Sequence, residues 1–259
     1  MQKKEAIKTL QRLGWVALLL LVGIVLINMV DRKQATKTTD VQVNIAHLPS
    51  GRDLITKGDV FEILDRSFGY SMEGIPHLNV DVERIERVLE DNPFVLDAEA
   101  YLGADNQVKI YLEQRIPVVR IIDRLDVSYY FDLDGNRLPT SRHFTARVLT
   151  ATGNIPPHTP EFLERPNHPL NHLFQLSKLI LADELFASMV EQIYVDKNQE
   201  YTLVPKLGDH VVKLGSFKDM DNKLRNLKVF YEKALPNAGW ETYKTVDLRF
   251  KGQIVAEKK

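Results

Sequence analysis

From Leu13 to Val30 the chain reads LGWVALLLLVGIVLINMV, 18 residues without a charge and with Asn28 as the one strongly polar side chain. A helix buried on one side would show a polar face, and this run has none. As a helix it rises about 27 Å, close to the hydrocarbon thickness of a bilayer. The pattern therefore predicts a membrane span over residues 13–30, with Leu13, Trp15, Leu18, Leu21, Ile24, Ile27 and Val30 as anchor positions. Lys3, Lys4, Lys8 and Arg12 against Glu5 give the arm at residues 1–12 a net charge of +3. That bias keeps the arm in the cytoplasm and sends the long remainder across. The exit NMVDRKQATK offers no small-x-small pair for signal cleavage. Residues 31–39 are polar and aperiodic, a short tether.

Beyond the tether the period changes from continuous to alternating. Val41, Val43 and Ile45 alternate with Gln42 and Asn44, a strand with one buried face. Thr56 with Asp59 reads as a helix N-cap, and Val60, Ile63 and Leu64 follow on one stripe. Asp81 caps a second helix carrying Ile85, Val88 and Leu89, which Asn92-Pro93 stops. Phe94, Leu96, Ala98, Ala100 and Leu102 then alternate toward one face, GADN turns the chain, and Val108, Ile110 and Leu112 alternate back. The order β-α-α-β-β predicts a small domain over residues 40–115.

Residues 116–259 read as a second, β-rich domain with flanking helices, making the whole α+β. Strands are predicted at Val118–Ile122, Val127–Phe131, Arg147–Thr152, Ile193–Val195, Tyr201–Val204 and Val211–Leu214. A proline-rich loop (Pro156, Pro157, Pro160, Pro166, Pro169) leads into a helix over Leu170–Met189. Leu224, Leu227, Tyr231 and Ala234 stripe another that ends at Pro236. Finally Thr245-Val246-Asp247-Leu248-Arg249-Phe250-Lys251-Gly252 alternates without a fault, a half-buried strand expected near a sheet edge. An edge exposes unpaired N–H and C=O groups and so accepts a partner's strand. That segment is the candidate partner-binding site.

Composition sharpens this. The chain has 259 residues, 44% of them hydrophobic, with no cysteine. It carries no disulfide framework, no thiolate nucleophile and no cysteine-based metal site. The formal charge of -1 divides into the +3 arm and a body of -4, with 30 basic and 34 acidic residues beyond Val30. Such a balance does not suit a nucleic-acid binder.

Candidate chemistry is thin. Asp132-Leu-Asp134-Gly135 resembles part of a calcium loop, but Tyr130 and Ser141 stand where ligands are needed, so a hairpin turn is the better reading. His168 and His172, with His158 and Glu164 nearby, form a conceivable metal constellation for a membrane-tethered hydrolase. Pro169 interrupts the pair and no His-Glu-x-x-His supplies a general base. No nucleophile elbow, P-loop or dinucleotide fingerprint occurs. Neither cofactor, metal nor small-molecule substrate is expected.

Several features recur together in one known family. They are Asn92-Pro93-Phe94-Val95 before the hairpin, Glu113 with Pro117-Val118-Val119 at the junction, the Asp134-Gly135 turn, Gly215, Lys223-Leu224 with Leu227, and Val246-Asp247-Leu248-Arg249-Phe250 with Gly252. In that order and spacing the chain resembles the FtsQ/DivIB family of bacterial cell-division proteins. The resemblance implies a POTRA domain followed by a β domain, no enzymatic activity, and a scaffold role at the septum in the inner membrane. It further implies that Thr245–Gly252 pairs with a strand of an FtsB/FtsL-type partner, with Phe250 as the aromatic contact. An envelope-biogenesis factor using a single POTRA-like domain is the alternative; such chains usually repeat the unit, and no internal repeat is found.

Overall fold

The computed structural model describes residue 15, residues 18–24 and residues 37–259. Trp15 and residues 18–24 are helical with exposed leucines. Among the described residues no helix is long and apolar enough to cross a membrane. The anchor positions Leu13, Ile27 and Val30 lie outside the described residues. The chain divides into two compact units between Gln114 and Arg115.

In the first unit, β1 (Asp40–Ile45), α1 (Lys57–Phe68), α2 (Val82–Glu90), β2 (Val95–Leu102) and β3 (Gln107–Gln114) follow in chain order. The sheet order is β1-β3-β2, with β3 parallel to β1 and antiparallel to β2. Thr56 closes a capping box: its hydroxyl accepts from Asp59 N–H while the Asp59 carboxylate accepts from Thr56 N–H at 2.8 Å. Val60, Leu64, Ile85 and Leu89 pack with Val41, Val43, Ala98, Val108, Ile110 and Leu112 in one core. Leu96 departs from the expected alternation and is exposed. A bulge between Val95 and Asp97 adds one residue to β2, so Val95 rather than Leu96 turns inward.

Gln114 ties this unit together. Its Oε1 accepts from Leu54 N at 2.7 Å, and its Nε2 donates to Ala46 O at 2.9 Å and to Asp53 Oδ1 at 2.8 Å. Three chain segments thus meet on one buried amide, at a site with little water to replace it.

The second unit is built on nine strands in the order β12-β11-β10-β9-β8-β7-β4-β5-β6. These are β4 (Val119–Ile122), β5 (Ser128–Phe131), β6 (Arg137–Pro139), β7 (Leu149–Gly153), β8 (Val190–Val195), β9 (Tyr201–Pro205), β10 (Val211–Gly215), β11 (Tyr243–Asp247) and β12 (Val255–Lys258). The helices are α3 (Pro169–Ala182), α4 (Glu184–Met189), α5 (Met220–Lys233) and α6 (Leu235–Ala238). Ile121, Phe131, Ile193, Leu203 and Val246 of the strands share a core with Phe174 and Ile180 of α3 and with Leu224 and Leu227 of α5.

Two sequence expectations change here. The single helix over Leu170–Met189 breaks at Asp183, whose extended backbone frees its carboxylate to cap Leu185 N–H at 3.0 Å and to hold Lys228 Nζ at 2.6 Å. The terminal strand is shorter than its alternation suggests. It runs from Tyr243 to Asp247, and residues 248–254 turn the chain back into β12.

Replacing Gln114 with Leu removes the side chain that joins Leu54 N–H, Ala46 O and Asp53. It is expected to destabilise the protein by about 2–3 kcal/mol, while Thr56→Ala costs about 1 kcal/mol, both read by urea denaturation.

Candidate functional site

The alternation of residues 245–252 continues past the point where the backbone stops being a strand. At Asp247 the side chain competes with the ladder: Oδ1 accepts from Arg249 N–H at 3.0 Å, a local turn that pulls the chain out of line. Leu248 N–H still donates to Lys213 O at 2.9 Å, the last bond toward β10. Gly252 then adopts a left-handed conformation (φ 71°), closing a turn in which Gln253 N–H donates to Phe250 O. The chain returns as β12, antiparallel to β11.

This corrects the placement of the candidate strand. Thr245, Val246 and Asp247 lie in β11, which is paired on both sides, parallel to β10 and antiparallel to β12. They have no free edge to offer. Leu248, Arg249, Phe250, Lys251 and Gly252 occupy the connecting turn and line a groove of about 670 Å³. Its other wall is the start of α5 and the loop before it, including Ser216, Lys218, Asp219, Asn222 and Lys223. Phe250 stands 52% exposed there.

The groove is held in shape by an ion pair. Arg249 grips Asp247 through Nε at 3.0 Å and Nη2 at 2.6 Å, and Glu200 Oε2 lies 3.6 Å from Nη1. The guanidinium beside Asp247 holds its carboxyl below the usual range, opposed by partial burial. Gly215 makes the approach possible. It is left-handed (φ 69°), and a Cβ there would sit 2.7 Å from Arg249 Cγ. Lys223 donates to Ser216 O at 2.8 Å, and partial burial draws its pKa below the usual lysine value. With Arg249 balanced by Asp247, Lys218, Lys223 and Lys251 against Asp219 leave the groove cationic.

Sheet edges differ in how they are closed. β6 is three residues long and ends in Pro139, which has no N–H. β1 is covered at its start by residues 74–76, with Thr38 N–H donating to Ile75 O, and Val41 N–H is taken by Asp40 Oδ1. On β2 the Ala100 N–H is capped by Glu86 Oε1 of α2 at 2.8 Å. Along β12, among the described residues, no side chain caps a strand N–H. Below this edge Tyr231, Trp240, Phe230 and Tyr243 form an aromatic base, and Lys259 is fastened to Asp209 Oδ2 at 2.7 Å.

Comparison with known proteins decides the family. Residues 116–257, over half of the chain, match the family described as FtsQ/DivIB, C-terminal related. The chain belongs to the FtsQ/DivIB family of cell-division proteins. Residues 36–113 match the POTRA-like domain. A relative, the cell division protein FtsQ of Rhodothermus marinus, is 28% identical over 170 residues, which cover 63% of this chain and 60% of that protein.

The other candidates from the sequence have separate occupations. Asp132 accepts from Asp134 N–H and Asn136 N–H, and its Oδ2 is held by Arg115 Nη1 at 3.1 Å, the geometry of a hairpin turn. His168 Nδ1 caps α3 by accepting from Leu170 N–H, His172 stacks flat on Phe217 at 4.5 Å, and His158 packs edge-on against Phe162. The three rings make no common site. Sequence reasoning missed β12, because four residues of mixed character after a glycine turn carry no decisive period.

Gly215→Ala meets both the left-handed backbone and Arg249. It is expected to cost about 1–2 kcal/mol, part of which Arg249→Ala in the same chain recovers, so the two changes are non-additive in a double-mutant cycle. Asp247, held ionised by Arg249, contributes stability above the ordinary carboxylate range that is lost as pH falls through its lowered pKa. Asp247→Asn should flatten that acid limb of a pH–denaturation profile.

Proposed function

We propose that the chain is a membrane-anchored, non-enzymatic division scaffold that captures a septal partner at its C-terminal edge. The observation that carries this is β12: it ends the nine-stranded sheet and, among the described residues, no side chain caps its N–H groups, while β6 is cut short, β1 is covered at its start and one N–H of β2 is capped. A partner segment adds a strand to Val255–Lys258 by main-chain hydrogen bonds. The adjoining groove takes the partner's flanking residues, with Phe250 as an apolar contact and the lysines favouring an acidic segment.

In this reading Thr245, Val246 and Asp247 support the edge from behind, and Leu248, Arg249, Phe250, Lys251 and Gly252 shape the groove. The partner is of the FtsB/FtsL type that the family resemblance implies. The apolar run at residues 13–30 holds residues 40–115 and 116–259 outside the inner membrane, and the POTRA-like unit serves recruitment to the septum. No cofactor or substrate takes part.

Successive N–H groups of a strand point to opposite sides, so proline at Ala256 and at Glu257 separates the two edges of β12. One substitution breaks the ladder to β11 and lowers the melting temperature. The other leaves folding intact and abolishes partner capture, read by cross-linking in cells and mass spectrometry. Phe250→Ala should weaken capture without affecting folding. If both proline variants and Phe250→Ala recover the partner as well as the parent chain does, the interface lies elsewhere.

A further inference from the structure

His210 is the most deeply enclosed histidine near the proposed edge, 1% exposed at the entrance to β10. Its Nε2 is 3.0 Å from the Tyr231 hydroxyl of α5, and the rings meet nearly edge-on at 5.7 Å. Nδ1 is buried without a hydrogen-bond partner. Backbone closes that side, for a Cβ on Gly208 would lie 2.9 Å from Nδ1 and 2.7 Å from Trp240 O.

Neutral imidazole fits this pocket, with one nitrogen paired to Tyr231 and the other bare. A second proton puts a charge and an unanswered donor in an apolar enclosure. The groups around it are Tyr231 from α5, the Trp240 carbonyl from the turn before β11, and the exposed Asp209–Lys259 pair, which is satisfied internally and whose lysine also feels Glu241. None of these charges neutralises the ring, and burial alone sets its proton affinity below that of ordinary histidine.

The position gives this consequence. Val211, the next residue, begins the ladder to β11 opposite Thr245. Asp209, the preceding one, holds Lys259 at the end of β12. The segment 208–211 therefore secures the near ends of the last three strands. We propose that His210 is an acid-sensitive pin for the strand-accepting edge: taking up a proton expels the ring, releases the Asp209–Lys259 clasp and the start of the β10–β11 ladder, and so disables capture at β12. This rests on the reading of β12 as the accepting edge.

The sign follows from linkage. The opened segment binds the proton at higher pH than the closed one, so closure is unaffected above the ordinary histidine range and weakens as pH falls through and below about 6.5. Burial, reinforced by Arg137 at His158 and by Arg165 and His172 at His168, shifts both the same way and adds a general acid sensitivity elsewhere in the unit. The test must separate local from general loss.

Hydrogen exchange of the full chain in detergent at pH 7.5 and 5.5, corrected for intrinsic rates, does so without any partner. Protection of residues 208–215 and 243–259 should fall several-fold at the lower pH while β7 and β8, away from His158 and His168, keep theirs. His210→Phe combined with Tyr231→Phe should remove the local loss. Tyr231→Phe alone, which takes away the one acceptor of the charged ring, should steepen it. An even loss across the unit in the parent chain, or an unchanged local loss in the double variant, overturns the proposal. Because the readout is the edge's own opening, failure here is distinct from failure of strand capture.

Discussion

The C-terminal edge depends on one carboxylate turning the chain. Asp247 ends β11 by accepting from the backbone of Arg249 and binding its guanidinium, and everything beyond is placed by that turn. Arg249 needs the absent side chain of Gly215 to lie where it does, and Leu248 keeps its bond to Lys213 across the bend. Residues whose sequence pattern suggests a long strand are therefore spent on a corner, and a different, shorter segment becomes the boundary of the sheet. A local side-chain-to-backbone bond outcompetes further extension because it satisfies the same N–H without a neighbouring strand.

Exposed strand edges invite indiscriminate pairing, and the two units restrain that tendency by different means. A glutamate from a helix caps one N–H of β2, a preceding aspartate and an overlying segment cover the start of β1, and a proline blunts β6. The remaining edge is restrained by its size. β12 offers only four residues, ending in Glu257 and Lys258, beside a cationic groove.

Much of this was legible in the sequence wherever a single period governs. The capping pair Thr56 and Asp59, the stripe Val60 and Leu64, and the hairpin about Val108–Leu112 read directly, since local propensity and burial agree there. Leu96 misreads because a bulge changes the phase within one strand, a tertiary adjustment that no spacing announces. The division at Asp183 could be suspected from its cap-forming side chain, but the partner that makes it favourable, Lys228, comes from 45 residues away. The strand expected over residues 245–252 ends at Asp247, because alternation reports which faces are buried and is silent about where the hydrogen-bond ladder ends. His210 was invisible, since a lone histidine before a strand has no pattern to distinguish pocket from surface.

The aromatic base beneath the edge has one more consequence. The chain has two tryptophans, Trp15 in the apolar N-terminal run and Trp240 against Tyr231. Trp240 lies in the turn that enters β11 and passes its carbonyl beside Gly208. A single change, Trp15→Phe, would leave its indole as the sole long-wavelength emitter in the protein. The chain thus carries its own optical gauge at the base of the last three strands, and their state becomes readable without an attached dye.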